Sequence, residues 1–137
     1  MFRNLPILFL FLLVFASCTR PVEKGKDFST GSLIGKWEYM EHYFSIGGPG
    51  KWQPVQPAGQ VVDFKSDGTF TSAASFSGTF LNYEVIDSTT VKFSPASTAS
   101  GYVLMRYEID AAKGTLLLHP IEPMCIEGCG HNFKRRP

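Results

Sequence analysis

Three cysteines and three histidines are the residues of this 137-residue chain best suited to covalent or metal chemistry. Cys125 and Cys129 stand near the C-terminus with Glu127 between them and His131 just beyond. Two chemistries suit that group. The thiols can close a disulfide over a short loop, worth only about 2 kcal/mol in the chain-entropy account. Alternatively Cys125, Cys129, His131 and Glu127 could bind a metal or cycle between redox states. Zinc sites ordinarily add a second ligand pair elsewhere, and the sequence offers none, so no metal is expected. His42 and His119 read as surface or rim side chains. Glu41 and Glu84 would make an acid pair only if strand register brought them together. The chain has no Gly-x-Ser-x-Gly, no His-Glu-x-x-His and no glycine-rich phosphate loop. The expectation is a protein that is not an enzyme and holds no cofactor.

Twelve Phe, five Tyr and two Trp supply a second kind of chemistry, the binding of apolar molecules. Tyr39, Tyr43, Tyr83 and Tyr107 are placed as inward aromatics near the mouth of a barrel, with Met105 beside them and Trp52 above as a lid. Such a set would line an apolar cavity with a few hydroxyls, as small-molecule sites commonly do. The same residues would equally serve to pack a core. Formal charge is +1, and without Arg3 the acidic and basic residues balance. No basic face or charge run is present, which argues against a nucleic-acid partner.

The N-terminus carries an address. Arg3 gives a short positive start, Leu5 to Phe15 is apolar, and Ala16-Ser17 are small. An apolar run of about 11 residues is too short to span ~30 Å of hydrocarbon but fits a secretory leader. Phe15-Ala16-Ser17-Cys18 resembles a bacterial lipobox, in which the cysteine becomes the lipid-bearing N-terminus. That resemblance implies a signal peptide over 1–17, lipidation of Cys18, a polar tether over 18–31 and a membrane partner through the lipid. Thr19-Arg20-Pro21-Val22 has neither an acidic export cluster nor an Asp after the cysteine, which points to the periplasmic face of the outer membrane. In that oxidising compartment the two cysteines left over, Cys125 and Cys129, favour the disulfide.

Residues 32–137 read as β-strands. Trp37 and Tyr39 alternate inward against Lys36 and Glu38, and beyond Met40 the two faces become mixed. The segment Ser45 to Gly59 carries Gly47-Gly48-Pro49-Gly50, Pro54 and Pro57 and reads as a long connection with no element of its own. Val61 to Lys65 and Thr69 to Ser72 flank Asp67-Gly68, a strong hairpin signal with Val62, Phe64 and Phe70 inward. Thr79 to Ile86 follows, with Leu81, Tyr83 and Val85 on one face and Phe80, Asn82 and Glu84 on the other. Strands at Thr89 to Phe93, Tyr102 to Asp110, Thr115 to His119 (ended by Pro120) and Asn132 to Arg135 complete about eight. Turn signals at this spacing suit an all-β protein: an antiparallel eight-stranded up-and-down barrel or a sandwich.

Leu33-Ile34-Gly35-Lys36-Trp37 resembles the Gly-x-Trp start of lipocalins. The hairpin Phe64 to Phe70 and the Cys125-Ile126-Glu127-Gly128-Cys129 loop before Phe133-Lys134 are similar to small lipocalin-like lipoproteins of Bacteroidetes-type bacteria. The resemblance covers roughly Leu33 to Arg135 and implies the barrel rather than the sandwich. It gives Gly35 and Trp37 structural roles at the barrel floor, with Lys134, Arg135 or Arg136 packed across the indole. It departs from lipocalins in its shorter chain and in lacking their C-terminal helix. The implied function is a membrane-anchored binding module of the cell envelope with a small hydrophobic ligand in the barrel. The alternative is a filled barrel that acts through its loops on an envelope protein partner.

Overall fold

The structure is a computed structural model that describes residues 32–72, 80–95, 101–126 and 128–137. The leader, Cys18 and the tether lie outside these residues. Among the described residues there are nine strands: β1 (Gly35–Phe44), β2 (Lys51–Pro54), β3 (Val61–Phe64), β4 (Phe70–Ser72), β5 (Phe80–Val85), β6 (Thr90–Pro95), β7 (Val103–Asp110), β8 (Thr115–Glu122) and β9 (Gly130–Arg135). All pairings are antiparallel, in the order β4-β3-β1-β9-β8-β7-β6-β5, with β2 beside β1. β2 pairs with the second half of β1 and β3 with the first, so the two form one interrupted strand. The wall thus has eight positions. Each neighbour is the next in sequence, and β9 returns to β1.

Among the described residues, the free ends of the sheet, β4 and β5, meet at a single bridge, Thr69 to Asn82. Beside it the Tyr83 amide donates to the Gly68 carbonyl at 2.8 Å, and the Tyr83 hydroxyl donates to the Lys65 carbonyl at 2.7 Å. The result is an up-and-down barrel that is nearly closed.

The Asp67-Gly68 hairpin forms as its residues dictate. Asp67 accepts from the Thr69 amide at 2.9 Å, and Gly68 takes φ 83°, a conformation that L side chains resist. Its alternation sends Val62, Phe64 and Phe70 into the core. There Phe64 and Phe70 lie 4.9 Å apart between ring centroids, and Phe70 and Phe93 lie 5.2 Å apart at a steep angle. Leu116, Leu118, Val91 and Phe133 complete a packed interior, each with no measurable exposure. Burial of each such side chain contributes about 1.5–3 kcal/mol.

Three strand expectations are corrected. A short strand, β2, occupies the segment expected to be a plain loop. Its Pro54 is the last paired residue, where a missing N–H costs the ladder least. Residues 56–59 then loop out, and pairing resumes as Tyr39 donates its amide to the Gln60 carbonyl at 2.8 Å. In β5, a register shift between Phe80 and Asn82 moves Phe80 to the core side and leaves Leu81 51% exposed. One extra residue reverses alternation, so the faces read from period two cannot hold across it. Finally, β8 runs through Pro120 to Glu122. Pro120 lies beyond the last β8–β9 pair, Leu118 to His131, and tolerates its lost donor there.

The floor is built around Trp37, which is fully buried. Its indole Nε1–H donates to the Leu33 carbonyl at 2.8 Å. Of the three basic candidates Arg135 takes the position over the ring, with its guanidinium 4.3 Å from the ring centroid. The same guanidinium donates to the Ser32 carbonyl at 2.6 Å. Gly35 has φ 125°, and a Cβ there would stand 3.5 Å from Arg135 Nη1. Arg135→Met keeps the apolar stem but removes the cation and its donors. It is expected to destabilise the fold by about 1–2 kcal/mol in urea titrations, with Arg135→Lys falling between the two.

Candidate functional site

Because the strands alternate in direction, the β1–β2 and β8–β9 connections share the end opposite Trp37. This end is the mouth. The interior below it is filled by the phenylalanine cluster, so any recess must lie above Tyr39. An open cleft of about 380 Å³ does, lined by Tyr39, His42, Phe44, Val55, Gln56 and His131, with Tyr43 and Cys129 at its edge. A larger recess of about 740 Å³ lies on the outer wall among Lys36, Val61, Asp63, Thr71 and Arg136, and is an open surface groove of mixed polarity.

A bulge in β1 shapes the cleft. Tyr39 faces Phe133 across the β1–β9 ladder, but Glu41 faces Asn132, so Met40 is the extra residue. Alternation reverses there: Tyr39 points inward, and beyond the bulge His42, opposite His131, joins the inner face. This is why the two faces of β1 look mixed in sequence. Glu41 is turned outward and accepts from the Asn132 amide at 3.1 Å. Glu84 lies across the barrel on β5, 3.7 Å from Lys92, so no acid pair with Glu41 forms.

The reversal also relocates two of the proposed ligand residues. Tyr43 pairs with Gly130 on one side and Trp52 on the other, on the face away from Phe133 and His131. The Tyr43 and Trp52 rings lie 5.4 Å apart, edge to face. Gly130 admits this packing, since a Cβ there would meet His119 Cε1 at 3.0 Å and Trp52 Cη2 at 3.2 Å. Trp52 is therefore a cover on the outer wall rather than a lid over the opening. Tyr83 and Tyr107 are inward but belong to the floor half. The Tyr107 hydroxyl donates to the Asp87 carbonyl at 3.2 Å, and Tyr83 packs edge-on against Phe64. Met105 is core. Of the six residues read from the sequence, Tyr39 and the rim-side Tyr43 touch the cleft.

Cys125 and Cys129 form the disulfide, with 5.7 Å between Cα atoms. It closes the β8–β9 connection beside the cleft, where Gly128 would place a Cβ 3.2 Å from the Tyr43 ring. The thiols are consumed in that bond, and among the described residues no group of three or more His, Cys, Asp or Glu could hold a metal ion. Glu127, the fourth member of the metal alternative, lies outside the described residues.

The feature that the sequence did not single out is the pair Tyr39 and His131. The Tyr39 hydroxyl and His131 Nδ1 are 2.6 Å apart, and the phenol ring also stacks on Phe133 at 4.8 Å. Burial, with the nearby His42 and His119 imidazoles, lowers the His131 pKa to about 4. Burial raises that of Tyr39 to about 12. Both groups are neutral at pH 7. With the phenol as donor, Nδ1 accepts and the ring proton sits on Nε2. Such a pair can orient a polar group of a bound molecule; neither member is poised as a base or nucleophile.

No known protein family matches this chain, and no curated protein or solved structure matches it.

A depressed His131 pKa has a definite consequence for acid stability. Above about pH 6.5 the ring is neutral in both folded and unfolded chains and adds no pH dependence. Between about 6.5 and about 4 the unfolded chain takes up a proton that the folded one refuses, so stability falls as pH falls. The loss is expected to reach on the order of 2–3 kcal/mol and to level off below that window. Urea titrations from pH 8 to pH 4 should show this limb in the native protein and its flattening in His131→Gln. Parallel curves for the two proteins would reject the assignment.

Proposed function

We propose that this protein is a lipid-anchored, lipocalin-like binding module of the cell envelope that takes a small, largely apolar molecule at the barrel mouth. The observation that carries the reading is the cleft over the Tyr39–His131 pair, whose walls are mostly apolar with His42 and Gln56 among them and whose base holds the Tyr39–His131 hydrogen bond. Its volume of about 380 Å³ lies toward the lower end of the range for small-molecule sites, about 300–1,000 Å³. The filled interior beneath it limits the ligand to the upper barrel. Phe44, Val55 and the stacked Tyr39 supply apolar contact, and the neutral imidazole tolerates a ligand without charge. The leader over 1–17, Cys18 and the tether over 18–31 support attachment at the periplasmic face of the outer membrane.

Binding of an environment-sensitive apolar dye such as 1-aminoanthracene tests the cleft. The native protein should bind it at one saturable site, and Phe44→Asp should weaken binding about tenfold, which corresponds to about 1.4 kcal/mol. Tyr107→Phe, at the floor, should leave it unchanged. Indifference of the native protein to this dye and to a panel of apolar molecules would reject a ligand-binding role. The anchor is tested separately: Cys18→Ala should shift the protein from the membrane to the soluble fraction.

A further inference from the structure

The two ends of the barrel differ sharply in surface chemistry. The floor turns carry Lys65, Asp67, Asp87, Asp110 and Lys113, and Arg135 closes that end. At the mouth, among the described residues, the charged side chains are fewer: Lys51, Glu122 and, level with Glu122 across the ladder, the Lys92–Glu84 pair, with Lys92 5.6 Å over the Tyr102 ring. Exposed large apolar side chains follow the opposite distribution. Phe44, Ile46, Trp52, Tyr102, Met124 and Ile126 all stand at the mouth, whereas the floor exposes Ile34 and Ile86. The tips are extreme: Ile46 and Met124 are each 78% exposed and Ile126 is 95% exposed.

These tips come from two separate connections, β1–β2 and β8–β9, and the disulfide between Cys125 and Cys129 fixes Ile126 at the end of its loop. Behind the aliphatic tips stand aromatic side chains with polar ends. Trp52 is 40% exposed, and Tyr102 donates its hydroxyl to Glu122 at 2.8 Å. Protruding aliphatic groups backed by Trp and Tyr match the layering of a membrane surface, with hydrocarbon beneath and headgroups above. A protein partner would more commonly be met by a contiguous patch with a packed centre.

We propose that the mouth rim dips into the surface of a lipid bilayer, with Ile46, Met124 and Ile126 reaching the acyl region and Trp52 and Tyr102 at headgroup level. The proposal rests on the anchored, ligand-binding reading above and adds a direction to it: the cleft opens toward the bilayer and draws its ligand from there. Chain length allows this orientation. The 14 residues from Cys18 to Gly31 can extend to about 46–50 Å, while the ten residues of β1 span only about 33 Å. A lipid attached to the floor end can therefore share a bilayer with the mouth.

The protein has two tryptophans, and only Trp52 is near the proposed contact. The test uses full-length protein with its own N-terminus, reconstituted into phosphatidylethanolamine–phosphatidylglycerol vesicles with or without brominated acyl chains. Brominated lipid is expected to quench part of the tryptophan emission, and Trp52→Phe should abolish that quenching. Combined Ile46→Ser, Met124→Ser and Ile126→Ser substitutions should also abolish it while the protein stays on the vesicles and the emission of buried Trp37 is unchanged. Unquenched Trp52 in vesicle-bound native protein would overturn the proposal, as would quenching that survives the triple substitution. Protection of the rim by a co-purified protein, with no response to brominated lipid, would overturn it in favour of a protein partner. Dye binding reads the cleft and membrane fractionation of Cys18→Ala reads the anchor, so failure of the rim contact is distinguishable from failure of either.

Discussion

Closure of the barrel at Trp37 is the constraint on which the remaining architecture depends. The indole stands at the start of β1, and Arg135 on its face belongs to the end of β9, so one contact ties the first strand to the last. The arginine also bonds to the carbonyl of Ser32, and the indole bonds to that of Leu33, so the incoming chain is held across the same floor. A barrel has no free edge to expose only if its terminal strands find each other. Here the β9–β1 ladder provides that pairing, and the cation on the aromatic face seals the end that the ladder leaves open. The weaker seam, between β4 and β5, is carried among the described residues by one bridge and the bonds of Tyr83.

With the floor sealed, phenylalanine packing sets how much space remains. Phe64, Phe70 and Phe93 meet at steep ring angles in the lower barrel and leave little room between them. The upper barrel is different because β1 bulges at Met40 and the following strand breaks at residues 56–59. Both irregularities occur at the same level of the wall. They turn His42 inward, open the cleft and carry Tyr43 and Trp52 to the outside. One residue of slippage in a period-two element thus decides which aromatic side chains line the cleft and which face the surroundings.

The mouth combines two environments within a short distance. Inside, Tyr39 and His131 satisfy one another and remain neutral because burial penalises either charge. Outside, the apolar tips Ile46, Met124 and Ile126 stand largely exposed. A buried polar pair thus lies beneath an apolar rim. The disulfide stiffens the loop that contributes to both, through Cys129 at the cleft and Ile126 at the tip.

Much of the wall was legible in the sequence because it rests on local chemistry. Asp67-Gly68 specifies its turn wherever it occurs, alternation in Val62, Phe64, Met105 and Tyr107 reports one buried face, and Gly35-Lys36-Trp37 marks the floor. The cysteine pair was likewise readable as a disulfide from its number and setting. What only the tertiary structure decided is everything downstream of a bulge. Nothing in Met40 or Leu81 announces an extra residue, since a bulge is a mismatch between two strands and belongs to neither alone. The Tyr39–His131 pair, 92 positions apart, depends on that mismatch. So does the outward turn of Trp52, and the choice of Arg135 over its basic neighbours depends on where the last strand comes to rest.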